Sequence, residues 1–252
     1  MSARGEKRLE APRAALQHQR EWFAGLRGPI AVADADVPHE LFRAFDLPYV
    51  VNQWWASICS AKQRAPEYLA AVRGRGYPDD VEQYSAIALG SVLAPGDDPP
   101  WGGLPPVSLF ATQRWSDAHE GIARAWARET GCETFVFEKA VDRRLPERWW
   151  ERIAHEWDEV IGAERVDLMA AELAQLIALL EERLDRAYDE ERLVHILELA
   201  NEQADWNRRT RDLLAATSPA PIDIVDSIPA VMIPQWHRGT EWGRDAARRL
   251  HD

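Results

Sequence analysis

Residues 30–51 read IAVADADVPHELFRAFDLPYVV, and the order of residue types in this stretch decides the fold class. Ile30-Ala31-Val32-Ala33 is a short unbroken apolar run, the pattern of a strand buried on both faces. Asp34, Asp36 and Pro38 follow, a combination that caps and opens a helix from His39 to Phe45. Leu47 to Val51, with Pro48 at its start and β-branched residues inside, reads as the next strand. Two strands joined through a helix in so few residues form a βαβ unit, whose strands run parallel and are covered by helices on both faces.

Upstream of this unit, Glu10 to Leu26 carries apolar positions at helical spacing, and Gly28 and Pro29 end that helix. Downstream, another helix is expected to start near Ala61. A second cycle begins after the Pro- and Gly-rich segment Pro95 to Pro106: a strand at Val107 to Ala111, a helix at Asp117 to Thr130 and a strand at Thr134 to Phe137. Together these segments predict an α/β fold built on an open, mainly parallel Rossmann-like sheet, with ligands expected beyond the carboxyl ends of the strands. From Pro146 onward the period changes, and long helices are expected at Glu147 to Val160, Asp167 to Arg186 and Glu190 to Ala215. Pro219 and Pro221 interrupt them. A loop-rich tail from Ile228 to Pro234 and a final helix from Thr240 complete the reading. The organisation expected is an α/β domain over 1–145 and a helical segment over 146–252, acting as linker to a second α/β domain that is absent or separate.

With 252 residues, 46% of them apolar, the chain can bury a sizeable core. Its formal charge of -12 and the absence of a long Lys/Arg run argue against nucleic acid as a partner, because phosphate neutralisation supplies most of that affinity. Met1 to Gln17 lacks the apolar stretch of a secretory signal, and the apolar run near Leu168 to Leu180 is broken by Glu172 and Gln175, so the expected location is cytoplasmic without a membrane span. Two cysteines, Cys59 and Cys132, are too few for a disulfide framework.

Chemistry-bearing groups are sparse. Cys59, read as lying in a strand-to-helix loop, is either a buried structural thiol or one made reactive by nearby helix amides. Cys132, at a helix-to-strand turn without a partner ligand, reads as structural. Trp54-Trp55 and Trp149-Trp150, among twelve tryptophans, either wall an aromatic pocket or fill the core. The loop His237-Arg238-Gly239-Thr240-Glu241-Trp242 either binds an anion at a helix N-terminus or simply caps that helix through Thr240. His39, His119, His155 and His195 read as ordinary helix-face residues. No zinc, P-loop or serine-hydrolase signature is present.

Residues 30–59, from the strand through Val37-Pro38-His39-Glu40-Leu41 to Cys59-Ser60, resemble the opening of the 2-hydroxyacyl-CoA dehydratase and benzoyl-CoA reductase subunits. Asn201-Glu202 and the closing Ser-Pro-x-Pro within Leu193 to Pro221, and the Arg-Gly-Thr turn at Arg238 to Thr240, extend the likeness. The resemblance implies a subunit of a complex that acts on a CoA thioester by low-potential electron transfer. The implied partners are a homologous second subunit, an ATP-dependent activator and an acyl-CoA substrate. It makes Cys59 the expected ligand of a 4Fe-4S cluster, with Trp54, Trp55, Ser60, His237, Arg238 and Thr240 as expected substrate contacts. For the CoA phosphates, the local cations are Lys62, Arg64, Arg73 and Arg75. The sequence departs from the family where a further cysteine is expected after a strand and Gln113-Arg114-Trp115 stands instead. A cluster needs several thiolates, so the ligand set in this chain is incomplete. The alternative expectation is a non-catalytic scaffold or binding subunit that has lost the cluster.

Overall fold

The computed structural model describes residues 9–78, 82–138 and 145–252. The first eight residues of the stretch read above for a secretory signal therefore lie outside the described part. Four strands, β1 (Ile30–Ala33), β2 (Tyr49–Val51), β3 (Val107–Gln113) and β4 (Glu133–Phe137), form one sheet. Its order is β2-β1-β3-β4 and every neighbouring pair is parallel. The register pairs Ala33 with both Val51 and Ala111, so β1 and β2 end level while β3 runs on to Gln113. All four residues of β1 are fully buried, as their unbroken apolar run requires of a strand covered on both faces.

Chain direction across the sheet reverses at β1. From β1 the chain passes to β2 on one side, then returns through a long crossover to β3 on the other side. That arrangement sends the connections of β1 and β3 to opposite sides, and the crevice outside the carboxyl ends at such a switch point is the usual ligand position in these sheets.

The helices described are α1 (Glu10–Gly25), α2 (His39–Ala44), α3 (Asn52–Ala61), α4 (Ala65–Gly74), α5 (Gln83–Leu93), α6 (Asp117–Thr130), α7 (Trp149–Arg152), α8 (Trp157–Ile161), α9 (Ala163–Leu184), α10 (Glu190–Ala216), α11 (Ile224–Trp236) and α12 (Glu241–His251). Three differences from the sequence reading matter. First, α3 starts directly at the end of β2, with Val51 as its extended N-cap residue, so the helix expected from Ala61 ends there instead. Second, the helix expected over Glu147 to Val160 is broken into α7 and α8. Third, the expected loop at Ile228 to Pro234 is helical: Asp223 caps α11 through Asp226 N at 2.9 Å, and Pro229 and Pro234 sit inside the helix. Each of those prolines removes one intrahelical hydrogen bond, but Ala230 and Ile233 bury the helix against its neighbours, and packing outweighs propensity.

Leu176 and Leu180 of α9 enter the same apolar core as the sheet. Phe23 anchors α1 by stacking on Trp55 at 5.2 Å and meeting Trp54 and Trp101 at 5.7 and 5.6 Å. Helices α4 and α5 cross so closely that a Cβ at Gly90 would fall onto the main chain of Tyr68.

Candidate functional site at the strand ends

Asp34 immediately follows β1, and the structure gives it a role that capping does not describe. The N-cap residue of α2 is Pro38, without a side-chain cap bond. The Asp34 carboxylate is instead sealed at the strand ends, 1% exposed. One oxygen accepts from Asn52 Nδ2 and Gln53 Nε2, each at 2.9 Å, and the other accepts from Thr112 Oγ1. Gln53 Oε1 in turn accepts from Ala35 N at 2.8 Å. One carboxyl thus ties together the ends of β1, β2 and β3. Burial pushes its pKa up, while the bonds from Thr112, Asn52 and Gln53 pull the other way. Around it, Trp115 donates its indole N–H to Asp36, and Ser57 pairs with Tyr84. The strand ends thus carry a polar cluster that includes the acids Asp34 and Asp36.

His39 is no ordinary helix-face residue. It is fully buried, stacks on Tyr49 at 4.7 Å, and its Nε2 lies 2.8 Å from the carbonyl of Asp34. Burial, aided by the positive charges of Arg238 and Arg43, drives its pKa down to about 3. The imidazole is neutral at physiological pH, so Nε2 carries the proton and donates to that carbonyl.

The expected site residues fall into two places. Cys59 lies in the last turn of α3, not in a loop, and its side chain is fully buried in the apolar core. Seven residues at about 1.5 Å each put it roughly 10 Å along the helix from Asn52. Desolvation raises the thiol pKa to about 12, whereas metal ligation requires the thiolate. Ser60 is exposed, one residue further on. Trp55 is sealed, its indole N–H donating to Ser91 Oγ at 2.9 Å, and Trp54 is buried among Phe23, Trp22 and Trp101. The Trp54-Trp55 pair therefore fills core rather than walling an opening, while Trp150 is 62% exposed.

His237, Arg238 and Thr240 form the turn between α11 and α12. His237 is buried, with Nε2 2.6 Å from Gln19 Oε1 and its ring between Trp22 and Trp242. Burial, together with Arg43 and His18, keeps its pKa well below the ordinary imidazole value. Trp22 also contacts Trp54, so the two sets of expected residues meet through packing. Arg238 pairs with Glu40 and donates to the carbonyl of Val37 at 3.0 Å. Thr240 caps α12, accepting from Gly243 N at 3.0 Å and donating to the carbonyl of His237 at 2.7 Å. Among the suggested phosphate cations, Arg64 pairs with Glu67 at 2.9 Å and Arg75 with Glu129.

The Val-Pro-His-Glu-Leu segment and the Arg-Gly-Thr turn, some two hundred residues apart in sequence, are thus joined by one partly buried ion pair. A family model described as 2-hydroxyglutaryl-CoA dehydratase, D-component, matches residues 35–252. The chain belongs to that family. A search of curated proteins finds no match. The matched range contains both segments of the ion-paired junction and Asn52, Gln53 and Thr112 of the polar network. Asp34 stands one residue before it.

The iron–sulfur cluster implied by the resemblance does not fit the donors offered here. Cys59 is sealed and protonated. Cys132 precedes β4 at the opposite, amino-terminal edge of the sheet, where burial also raises its pKa. Among the described residues no group of three or more His, Cys, Asp or Glu side chains is placed to hold a metal ion. No helix among them is long and apolar enough to cross a membrane.

Asp34, Asn52, Gln53 and Thr112 escaped the sequence reading. Each stands at or next to the carboxyl end of a strand, so the strand-end rule applied residue by residue was the signal that could have found them.

Proposed function

We propose that this chain is a cluster-free component of a 2-hydroxyacyl-CoA dehydratase-like or benzoyl-CoA reductase-like complex, contributing a ligand-binding fold and a partner surface rather than a redox centre. The observation that carries the reading is the environment of Cys59. A cluster ligand must be a thiolate within reach of iron and of further thiolates, whereas this sulfur is packed in a helix among apolar side chains and held protonated. The strand-end crevice is what the chain offers to an organic ligand. There Asp34 fixes three strand ends, and Gln53, Asp36 and Trp115 line the approach with hydrogen-bonding groups and an aromatic face.

Anaerobic purification, alone and co-expressed with neighbouring genes, followed by iron and sulfide analysis of the isolated chain, tests this. The expected result is colourless protein without stoichiometric iron. A brown chain that loses its colour in a Cys59→Ala variant overturns the proposal and makes Cys59 a ligand after all. Acyl-CoA titration of the same preparation reports on the crevice, with an Asp36→Lys variant expected to alter the affinity.

A further inference from the structure

At the amino-terminal end of β2, on the side of the sheet away from the strand-end crevice, lies an open groove of about 790 Å³. Its walls are Trp22 and Leu26 from α1, Pro48 and Tyr49 from the start of β2, and Ile196 from α10. Into it project Arg27, Arg43, Arg192 and His195. Asp46 is the carboxylate that lines it, and it is already engaged by both Arg186 and Arg192, which hold its pKa below the usual range. Arg43 is half-buried. Its Nη2 donates to the carbonyl of Trp236 at 3.2 Å, its guanidinium lies 5.1 Å from the centre of the Tyr49 ring and also hydrogen-bonds the Tyr49 side chain, and its buried Nε has no partner. Arg27 uses only Nη1 on the carbonyls of Ala24 and Leu26. Among the described residues, then, neither Arg43 nor Arg27 has a carboxylate within ion-pair distance. In a protein of net charge -12, these cations form a local excess of positive charge beside an apolar wall.

A partly desolvated guanidinium without a counter-ion is costly unless a ligand supplies one. Arg presents a planar fork of donors matched to carboxylate and phosphate oxygens. Gly239 completes the shape: at φ +77°, it comes so close to α10 that a Cβ would stand 2.5 Å from Ile196 Cγ2. This brings the Arg-Gly-Thr turn against the groove floor.

We propose that this groove binds an organic oxyanion, a carboxylate or phosphate ester carrying an apolar or aromatic portion, with Arg43 and Arg27 taking the anion and Trp22, Leu26 and Tyr49 taking the apolar part. The site is separate from the strand-end crevice, and its test reads anion binding rather than iron, so it stands or falls independently of the proposed function.

Isothermal titration with benzoate, phenyl phosphate and inorganic phosphate, with benzamide as the neutral control, is the experiment. Both aromatic anions are expected to bind more tightly than inorganic phosphate, and benzamide is expected not to bind. Their ratio tells whether carboxylate or phosphate is preferred. Arg43→Gln should weaken the better ligand about tenfold or more. Arg27→Gln, at an exposed rim position, should weaken it several-fold, and Arg124→Gln on the remote face of α6 should leave it unchanged. No heat from any of the anions at millimolar concentration overturns the proposal, as does equal affinity in the wild type and the Arg27→Gln variant.

Discussion

Lowering the pH from 7 to 5 should destabilise this protein through two sealed imidazoles. His39 is fully buried with its pKa near 3, and His237 is 3% exposed with its pKa well below the ordinary value. In the unfolded chain both titrate near 6.5. Below that pH the unfolded state binds protons that the folded state refuses, so stability falls as pH drops through 6.5 and continues to fall toward the folded values. At pH 5 His39 alone costs about 2 kcal/mol, and His237 acts in the same direction. That is a large part of the roughly 5–15 kcal/mol by which domains are stable. Asp34 opposes the trend. Its folded pKa is raised, so between that value and its unfolded value it takes up a proton preferentially in the folded state and returns some stability. Urea denaturation followed by tryptophan fluorescence should show a midpoint lower by roughly 0.7 M or more at pH 5 than at pH 7, for an m-value of about 3 kcal/mol/M. A His39→Gln variant, which keeps a donor toward the Asp34 carbonyl but cannot titrate, should lose roughly 0.7 M of this shift. If its midpoint shifts as much as that of the wild type, the imidazole of His39 is not the group responsible.

Further outcomes follow from the same packing. Asp34→Asn places an amide where three donors converge, and should cost about 2–3 kcal/mol in chemical denaturation. Arg238→Ala and Glu40→Ala should each destabilise, and a double-mutant cycle should give a coupling of about 1–3 kcal/mol, because both side chains are largely buried. A coupling near zero would mean that the two family segments are not held together by this pair. Native protein should be nearly inert to a thiol reagent, with both cysteines reacting once the protein is unfolded in guanidinium; rapid native labelling of a Cys132→Ala variant would show that Cys59 is accessible. Gly90→Ala should lower the melting temperature markedly, since the added methyl meets main chain that cannot rotate away.

Local pattern determined a good deal of this protein. The apolar run Ile30–Ala33, the spacing to Leu47–Val51 and the repeat of that cycle at Val107 and Thr134 were sufficient for a parallel α/β sheet, because side-chain period and turn residues act over a few positions. The same was true of α1, α6, α9 and α10. Where a helix begins directly at a strand end, as at Asn52, or continues through prolines, as in α11, the local signal misleads, since tertiary burial supplies the energy that propensity lacks. The status of single side chains was decided by the fold alone. Only packing shows that Cys59 is sealed rather than presented, that His39 is neutral, and that Arg238 is taken by Glu40 from a distant segment. Burial and charge pairing arise between elements far apart in the chain, and a residue's chemistry is set by those neighbours rather than by the letters beside it.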